Sequence, residues 1–278
     1  MLTVSDSRGP ILVLFARRPR PGAVKTRLAA EIGDAGALAI HTACVRDSIG
    51  ILRRTSPFGI RPAIAWLDEA VADTPAGDPA VRATDPSSGS PVDPPPGPAS
   101  RTGADQGSGA ATAPAVAPAL FTEDLAGFEK LKQHGEDLGQ RMLDCMASLL
   151  ARGHDRVAIL GSDTPSLPVE ILKRAFEQLR GHDVVLGPCT DGGYYLIGAR
   201  CVVPEIFRDI PWGTDRVLAD TLTLLKILGI GKALLPPWSD VDTAADLREL
   251  RAALAALAPG DPTARHTRAA LEQVLPPA

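Results

Sequence analysis

The sequence predicts an α/β fold: a mostly parallel central sheet with helices on both faces. Three observations carry that expectation. Short unbroken apolar runs recur along the chain, Ile11–Ala16, Val157–Leu160 and Val184–Gly187. Such runs read as strands buried on both faces, the pattern of parallel sheets. Amphipathic stretches with helical spacing lie between them, and strand–helix alternation favours parallel pairing with right-handed crossovers. Third, loops rich in glycine, proline and charge follow directly after the strands, as in Gly161-Ser162-Asp163-Thr164-Pro165. In open α/β sheets, ligands bind at that carboxyl edge.

Taken in order, residues 1–10 read as an N-terminal tail and residues 11–256 as one domain. Ile11–Ala16 is the first strand. The stretch from Arg17 to Leu28, RRPRPGAVKTRL, reads as a loop, and a helix is expected from about Ala35 to Leu52. Pro62 to Leu67 is a second strand. From about 73 to 118 the chain is Pro, Ala, Gly, Ser and Thr with almost no large apolar residue. Such a segment cannot bury enough surface to offset its ordering entropy, so a disordered insertion is expected. Asp137 to Arg152 reads as a helix with Leu138, Met142, Cys145, Met146 and Leu149 on one face. The Val157 strand and a helix from Val169 to Leu179 follow, then the strand of Asp183–Gly187. Tyr194 to Ile197 is strand-like and breaks the alternation, so antiparallel pairing is expected there. Helices are predicted over Val203–Phe207, Thr214–Leu228 and Thr243–Leu257, with a strand at Lys232–Leu235. Residues 257–278, rich in Pro and Ala, read as a C-terminal tail.

Composition narrows the function classes. A net charge of −4 over 278 residues offers no basic excess for nucleic acid. Cys44, Cys145, Cys189 and Cys201 lack C-x-x-C spacing, which argues against a zinc site or disulfide framework. The first residues lack a secretory pattern, and no apolar run approaches the ~20 residues of a membrane span. The expectation is a cytoplasmic protein.

Five stretches carry candidate chemistry. The loop after the first strand holds Arg17, Arg18, Arg20, Lys25 and Arg27 around Gly22. Cations between a strand end and a helix entry suit an anion, since guanidinium forks and backbone N–H groups hold phosphates. The glycine of a P-loop before the lysine is missing, which argues against that ATPase class. Ser162 and Asp163 follow the most apolar strand. A carboxylate there suits a hard divalent cation held against phosphates, or it caps the next helix. In Asp137-Leu138-Gly139-Gln140-Arg141, Arg141 is a candidate for a phosphate or base, and Gly139 hints at close approach of a ligand or backbone. Asp191-Gly192-Gly193-Tyr194-Tyr195 is a tight turn that aims a general base at a site and offers tyrosines for stacking, or is a plain hairpin turn. Asp240 and Asp242 alternate around Val241 and share a face if extended. Thr243 with Asp246 fits a capping box.

Together FARRPRPGAVKTRL, DLGQRM, GSDTPSLP with DGGYYLIG, and PWGTDRVL with DVDTAADL resemble a bacterial glycosyltransferase-like family. It belongs to the nucleotide-diphospho-sugar transferase superfamily, and its members are often labelled arsenosugar-biosynthesis transferases. The resemblance runs from about Ile11 to Leu250, outside the Pro-rich insertion. It implies a GT-A, Rossmann-like domain and transfer from a nucleotide-activated donor with Mg²⁺ or Mn²⁺. It implies Asp163, Asp242 and less directly Asp240 as metal ligands. Arg17, Gly22, Lys25, Arg27, Arg141 and Ser162 would hold the donor. Asp191 would be the base, with Gly192, Gly193, Tyr194, Tyr195 and Trp212 on the acceptor side. Two departures stand out. Gly161-Ser162-Asp163 carries a single carboxylate where many glycosyltransferases carry Asp-x-Asp. That feature, with AVKTRL, resembles nucleotidyltransferases such as 2-phospho-L-lactate guanylyltransferase. Ala244-Ala245 replaces the usual Pro-Glu. The expected partners are a nucleotide sugar or a nucleotide triphosphate and a small acceptor. A non-catalytic nucleotide-binding regulator is a third reading, since fold alone does not fix function.

Overall fold

A computed structural model describes residues 8–67, 121 and 124–275. The Pro-rich insertion at about 73–118 lies outside the described residues. Seven strands form one sheet: β1 (Ile11–Arg17), β2 (Arg61–Leu67), β3 (Glu129–Lys132), β4 (Val157–Gly161), β5 (Val184–Pro188), β6 (Tyr194–Ala199) and β7 (Lys232–Leu234). Their spatial order is β3-β2-β1-β4-β6-β5-β7. Every pairing is parallel except those of β6, which runs antiparallel to both β4 and β5. The helices are α1 (Thr26–Arg53), α2 (Leu138–Ala151), α3 (Val169–Gln178), α4 (Val217–Ile227), α5 (Ala244–Ala255) and α6 (Arg265–Val274).

The apolar runs are buried on both faces, for the reason their composition suggests. Leu12, Leu14 and Ala16 of β1 join a core layer with Val45, Ile49 and Leu52 of α1 and Leu172 and Phe176 of α3. Ile11, Val13 and Phe15 join the opposite layer with Met142, Cys145, Met146 and Leu149 of α2. Alternation places successive side chains on opposite faces, so a strand between two helical layers must be apolar throughout.

Three elements differ from the sequence expectation. The helix α1 begins at Thr26, inside the stretch read as a loop, and bends at Gly33 (φ 76°). That glycine interrupts the periodic pattern and hides the first two turns. By length and apolarity alone, Thr26–Phe58 would suffice to cross a membrane. It is instead packed within the domain, with Val45, Ile49, Ile51 and Leu52 in the core. β3 was not foreseen because its sequence, EKLK, is charged and half-exposed. Charge on an edge strand discourages pairing with another chain. The segment from residue 257, expected to be a tail, carries α6. Ala264, Ala270 and Leu271 pack with Leu28, Ile40 and Cys44 of α1 and Leu247 of α5. No cap precedes α6 in the sequence. Its N-terminal amides are capped from α1 instead, where buried Asp47 accepts from His266 N (3.1 Å), Thr267 N (2.8 Å) and Thr267 Oγ1 (2.7 Å). A cap supplied across 219 residues leaves no local signal.

Register sets the position of the site. Phe15 of β1 is aligned with Gly161 of β4 and with Ala65 of β2. The loops after β1 and β4 therefore leave the same edge side by side. Because β6 is antiparallel, the turn before Tyr194 returns to that edge as well.

Candidate functional site

The three loops surround a cavity of about 750 Å³ at the carboxyl edge of β1 and β4. Its size lies within the range of small-molecule sites. The lining includes Arg17, Lys25, Arg27, Arg141, Ser162, Asp163, Asp191, Gly193, Tyr194, Trp212 and Asp242. These residues come from the five stretches singled out in the sequence and from PWGTDRVL.

Lys25 is the centre of the cationic wall. It is the N-cap of α1 and adopts a left-handed backbone (φ 47°). Its side chain is almost fully buried, at 3% exposure. Nζ lies 2.5 Å from Asp163 Oδ1 and 3.6 Å from Asp242 Oδ1, and donates to Val241 O at 2.5 Å. Burial alone would lower the lysine pKa, but Asp163, Cys44 and Asp242 more than reverse this and hold it above its ordinary value. For Asp163, burial would raise the pKa, but Lys25 and His41 outweigh it and keep the carboxyl below its ordinary range. Asp163 does not cap the following helix: Pro168 is the N-cap of α3, with no side-chain cap bond.

Asp242 is held by the start of α5. Thr243 and Asp246 form the expected capping box, and Asp246 Oδ2 also accepts from Asp242 N at 2.9 Å. Val241 N donates to Asp163 O at 3.0 Å, tying the two acidic loops together through backbone. Burial raises the Asp242 pKa, and Asp163 adds to the effect.

The DGG turn adds a third carboxylate, Asp191, to the lining. Asp191 Oδ1 accepts from Gly193 N at 2.8 Å, which closes the DGG turn. Gly192 has φ 91°, and a Cβ there would lie 2.1 Å from Asp215 O. Only glycine fits that approach. Ligand atoms of Asp191, Asp240 and Cys189 lie within 4.8 Å of one another. Burial, Asp191 and Asp242 push Asp240 up to about 7.

Some expected site residues are placed elsewhere. Tyr195 is not at the acceptor wall. It is buried in the opposite core layer, and its hydroxyl donates to Pro236 O at 2.9 Å. Alternation along β6 sends the two tyrosines to opposite faces. Tyr194 stays at the cavity, edge-on to Trp212 with ring centroids 6.2 Å apart. Gly22, Gly192 and Asp240 are not part of the lining; Gly22 supplies a positive φ (72°) within the basic loop. Gly139 serves packing rather than a ligand: a Cβ would lie 2.3 Å from Phe207 O and 2.5 Å from Trp212 Nε1. The DLGQRM stretch is also an ordinary helix start, with Asp137 accepting from Gln140 N at 2.8 Å.

The lining also holds residues that the motifs did not mark, among them His41 and Gln133. His41 is buried in α1, with Nε2 3.0 Å from Arg17 O, and burial lowers its pKa. Gln133 Nε2 donates to Ala65 O at 2.9 Å, bracing the end of β2. A lone histidine within a helical pattern and a glutamine after a charged edge strand give no local signal.

The hard oxygen donors of Asp163 and Asp242 fit Mg²⁺ or Mn²⁺. The Lys25 ammonium on this pair shows that it accepts a cation.

A bacterial family described as "Uncharacterized protein conserved in bacteria (DUF2064)" matches residues 108–214. No curated protein matches the chain. A crystal structure from Desulfovibrio desulfuricans G20, provisionally assigned as a nucleotide-diphospho-sugar transferase, shares 27% identity with a TM-score of 0.69. The match covers 96% of this chain and 95% of that one. A cytidylyltransferase from Leptospira borgpetersenii serovar Hardjo-bovis (strain JB197) shares 10% identity with a TM-score of 0.47, over 96% of this chain and 94% of that one. A CMP:2-keto-3-deoxy-manno-octonic acid synthetase complexed with CTP shares 13% with a TM-score of 0.46, over 90% and 99%. The chain has the α/β fold of the nucleotide-diphospho-sugar transferases.

Proposed function

We propose that the protein is a metal-dependent transferase that moves a sugar from a nucleotide-diphospho-sugar to a small hydroxyl-bearing acceptor. The observation that carries this reading is one cavity in which a cationic loop faces clustered carboxylates. The likeness to the Desulfovibrio structure supports it at the level of superfamily. The motif order supports an arsenosugar-biosynthesis-type transferase within it.

In this reading Arg17, Lys25 and Arg27 bind the donor diphosphate, with Arg141 and Ser162 beside them. Tyr194 and Trp212 form the acceptor wall. Asp191 takes the proton of the acceptor hydroxyl through Oδ2, since Oδ1 is engaged by Gly193 N. The new glycosidic C–O bond forms as the anomeric C–O bond to phosphate breaks, and the nucleoside diphosphate leaves with the electron pair. The cationic loop stabilises that leaving charge. A divalent cation bound by Asp163 and Asp242 would add Lewis-acid stabilisation of the diphosphate.

A second reading, nucleotidyl transfer with release of pyrophosphate, is favoured by the single carboxylate at Gly161-Ser162-Asp163 and by Lys25 within AVKTRL. A thermal-shift panel of nucleotide sugars and nucleotide triphosphates with Mg²⁺ or Mn²⁺ separates the two. A ligand specific for the folded state at 100 times its Kd adds about 2.7 kcal/mol. The expected result is the largest shift with one nucleotide-diphospho-sugar. Preference for one triphosphate would replace sugar transfer by nucleotidyl transfer. Binding without turnover would leave a regulator, and no shift with any nucleotide would overturn all three.

A further inference from the structure

We infer that Lys25 is a built-in counter-ion on the metal position, so that metal and ammonium exclude one another there and the donor's phosphates must draw Lys25 away before a metal can load. The inference rests on the transferase reading for the identity of the phosphates; the exclusion itself rests on geometry alone.

One ammonium serves both carboxylates, 2.5 Å from Asp163 and 3.6 Å from Asp242. A divalent cation on the same two groups would meet a buried positive charge. Removing that charge costs the metal-free protein, because the two half-exposed carboxylates would then face each other without a cation and repel. Each state therefore needs one cation, and the two cations are alternatives.

The loops that carry the two carboxylates have backbone ties independent of Lys25. The Val241 N to Asp163 O bond joins their loops, and the Thr243–Asp246 capping box fixes the start of α5 behind Asp242. When Lys25 leaves, these ties stay. Lysine suits the part, being a point charge on a flexible four-carbon stem. It leaves the acidic pair without leaving the cavity, because Arg17 and Arg27 line the same space. The phosphates that would attract it enter at that wall. Nucleotide and metal then bind cooperatively, each assisting the other by the same factor.

The test is direct titration of Mn²⁺, followed by electron paramagnetic resonance of the free ion and without nucleotide. Lys25→Met is expected to bind Mn²⁺ at least about tenfold more tightly than the wild type, within the span of such couplings. Adding Asp163→Asn to Lys25→Met should abolish the gain and so locate it at this pair. If Lys25→Met melts too low to titrate, Lys25→Gln takes its place, since its amide keeps a donor for Val241 O. A lysine-free variant that binds Mn²⁺ no more tightly than the wild type would overturn the inference. In a second arm, Mn²⁺ and inorganic pyrophosphate together should raise the wild-type melting temperature by more than the sum of their separate shifts, at matched free metal. The excess should vanish in Lys25→Met; additive shifts in the wild type, or an equal excess in the variant, would overturn the displacement. Because the first arm contains no nucleotide, failure to bind nucleotide sugars would sink the transferase reading and leave this result intact.

Discussion

Asp163 and Asp240 stand on neighbouring loops at one end of the sheet, yet their surroundings push them in opposite directions. Asp163 shares Lys25 and is held below the ordinary carboxylate range. Asp240 faces Asp191 and Asp242 and is pushed up to about 7. The difference teaches that a paired cation, not position at the sheet edge, decides whether a carboxylate here stays charged. Asp163 lines the cavity with its own cation beside it, whereas Asp240 stands behind the lining among carboxylates, where burial and like charge favour its protonated form.

The largest effect expected from breaking this asymmetry is at Asp163. Asp163→Asn keeps the shape and removes the charge. Turnover in steady-state assays should fall by about 100-fold or more, the scale of single electrostatic groups at reacting centres. Melting should stay near that of the wild type, because Asp163 caps no helix and Lys25 retains Asp242 and Val241 O. Full metal-dependent activity in this variant would remove Asp163 from the mechanism.

A smaller effect is expected on the cationic wall. Arg27 is exposed in the first turn of α1. Arg27→Ala should weaken nucleotide binding by about tenfold, the loss expected for a charged hydrogen bond, and should leave stability unchanged. Calorimetry that returns the wild-type affinity would place the diphosphate elsewhere.

The smallest effect is on stability and depends on pH. The folded-state pKa of Asp240 is raised above its unfolded value, so the folded protein binds the extra proton between the two. Stability then falls as pH rises through about 4 to 7, and the penalty is complete above the folded pKa. In metal-free buffer, Asp240→Asn should raise the melting temperature at pH 8 and change it little at pH 4. An equal gain at both values would show that the asparagine acts by packing and not by charge.

The antiparallel β6 illustrates how function and legibility part ways. The DGGYY turn is legible in the sequence as a tight turn, because two glycines follow an aspartate, and it lies at the cavity. Which tyrosine faces the cavity was not visible, since that depends on the register of β6 against β4 (Leu160 beside Leu196). Likewise a glycine inside a helical pattern marks Gly139 as a point of close approach, but its partner is the Phe207 carbonyl and the Trp212 indole, more than sixty residues away.

The sequence by itself determined the sheet and its loaded edge. Unbroken apolar runs must be covered on both faces, and charged, glycine-rich loops after them have nowhere to go but the carboxyl rim. It also determined the capping box at Thr243, a purely local bond pattern. Tertiary structure alone decided the rest. It brought Lys25 onto Asp163 across 138 residues, lent α6 a cap from Asp47, and turned Tyr195 away from the site. Each of these is a contact between groups far apart in the chain, and local propensity and periodicity carry no information about the register that joins them.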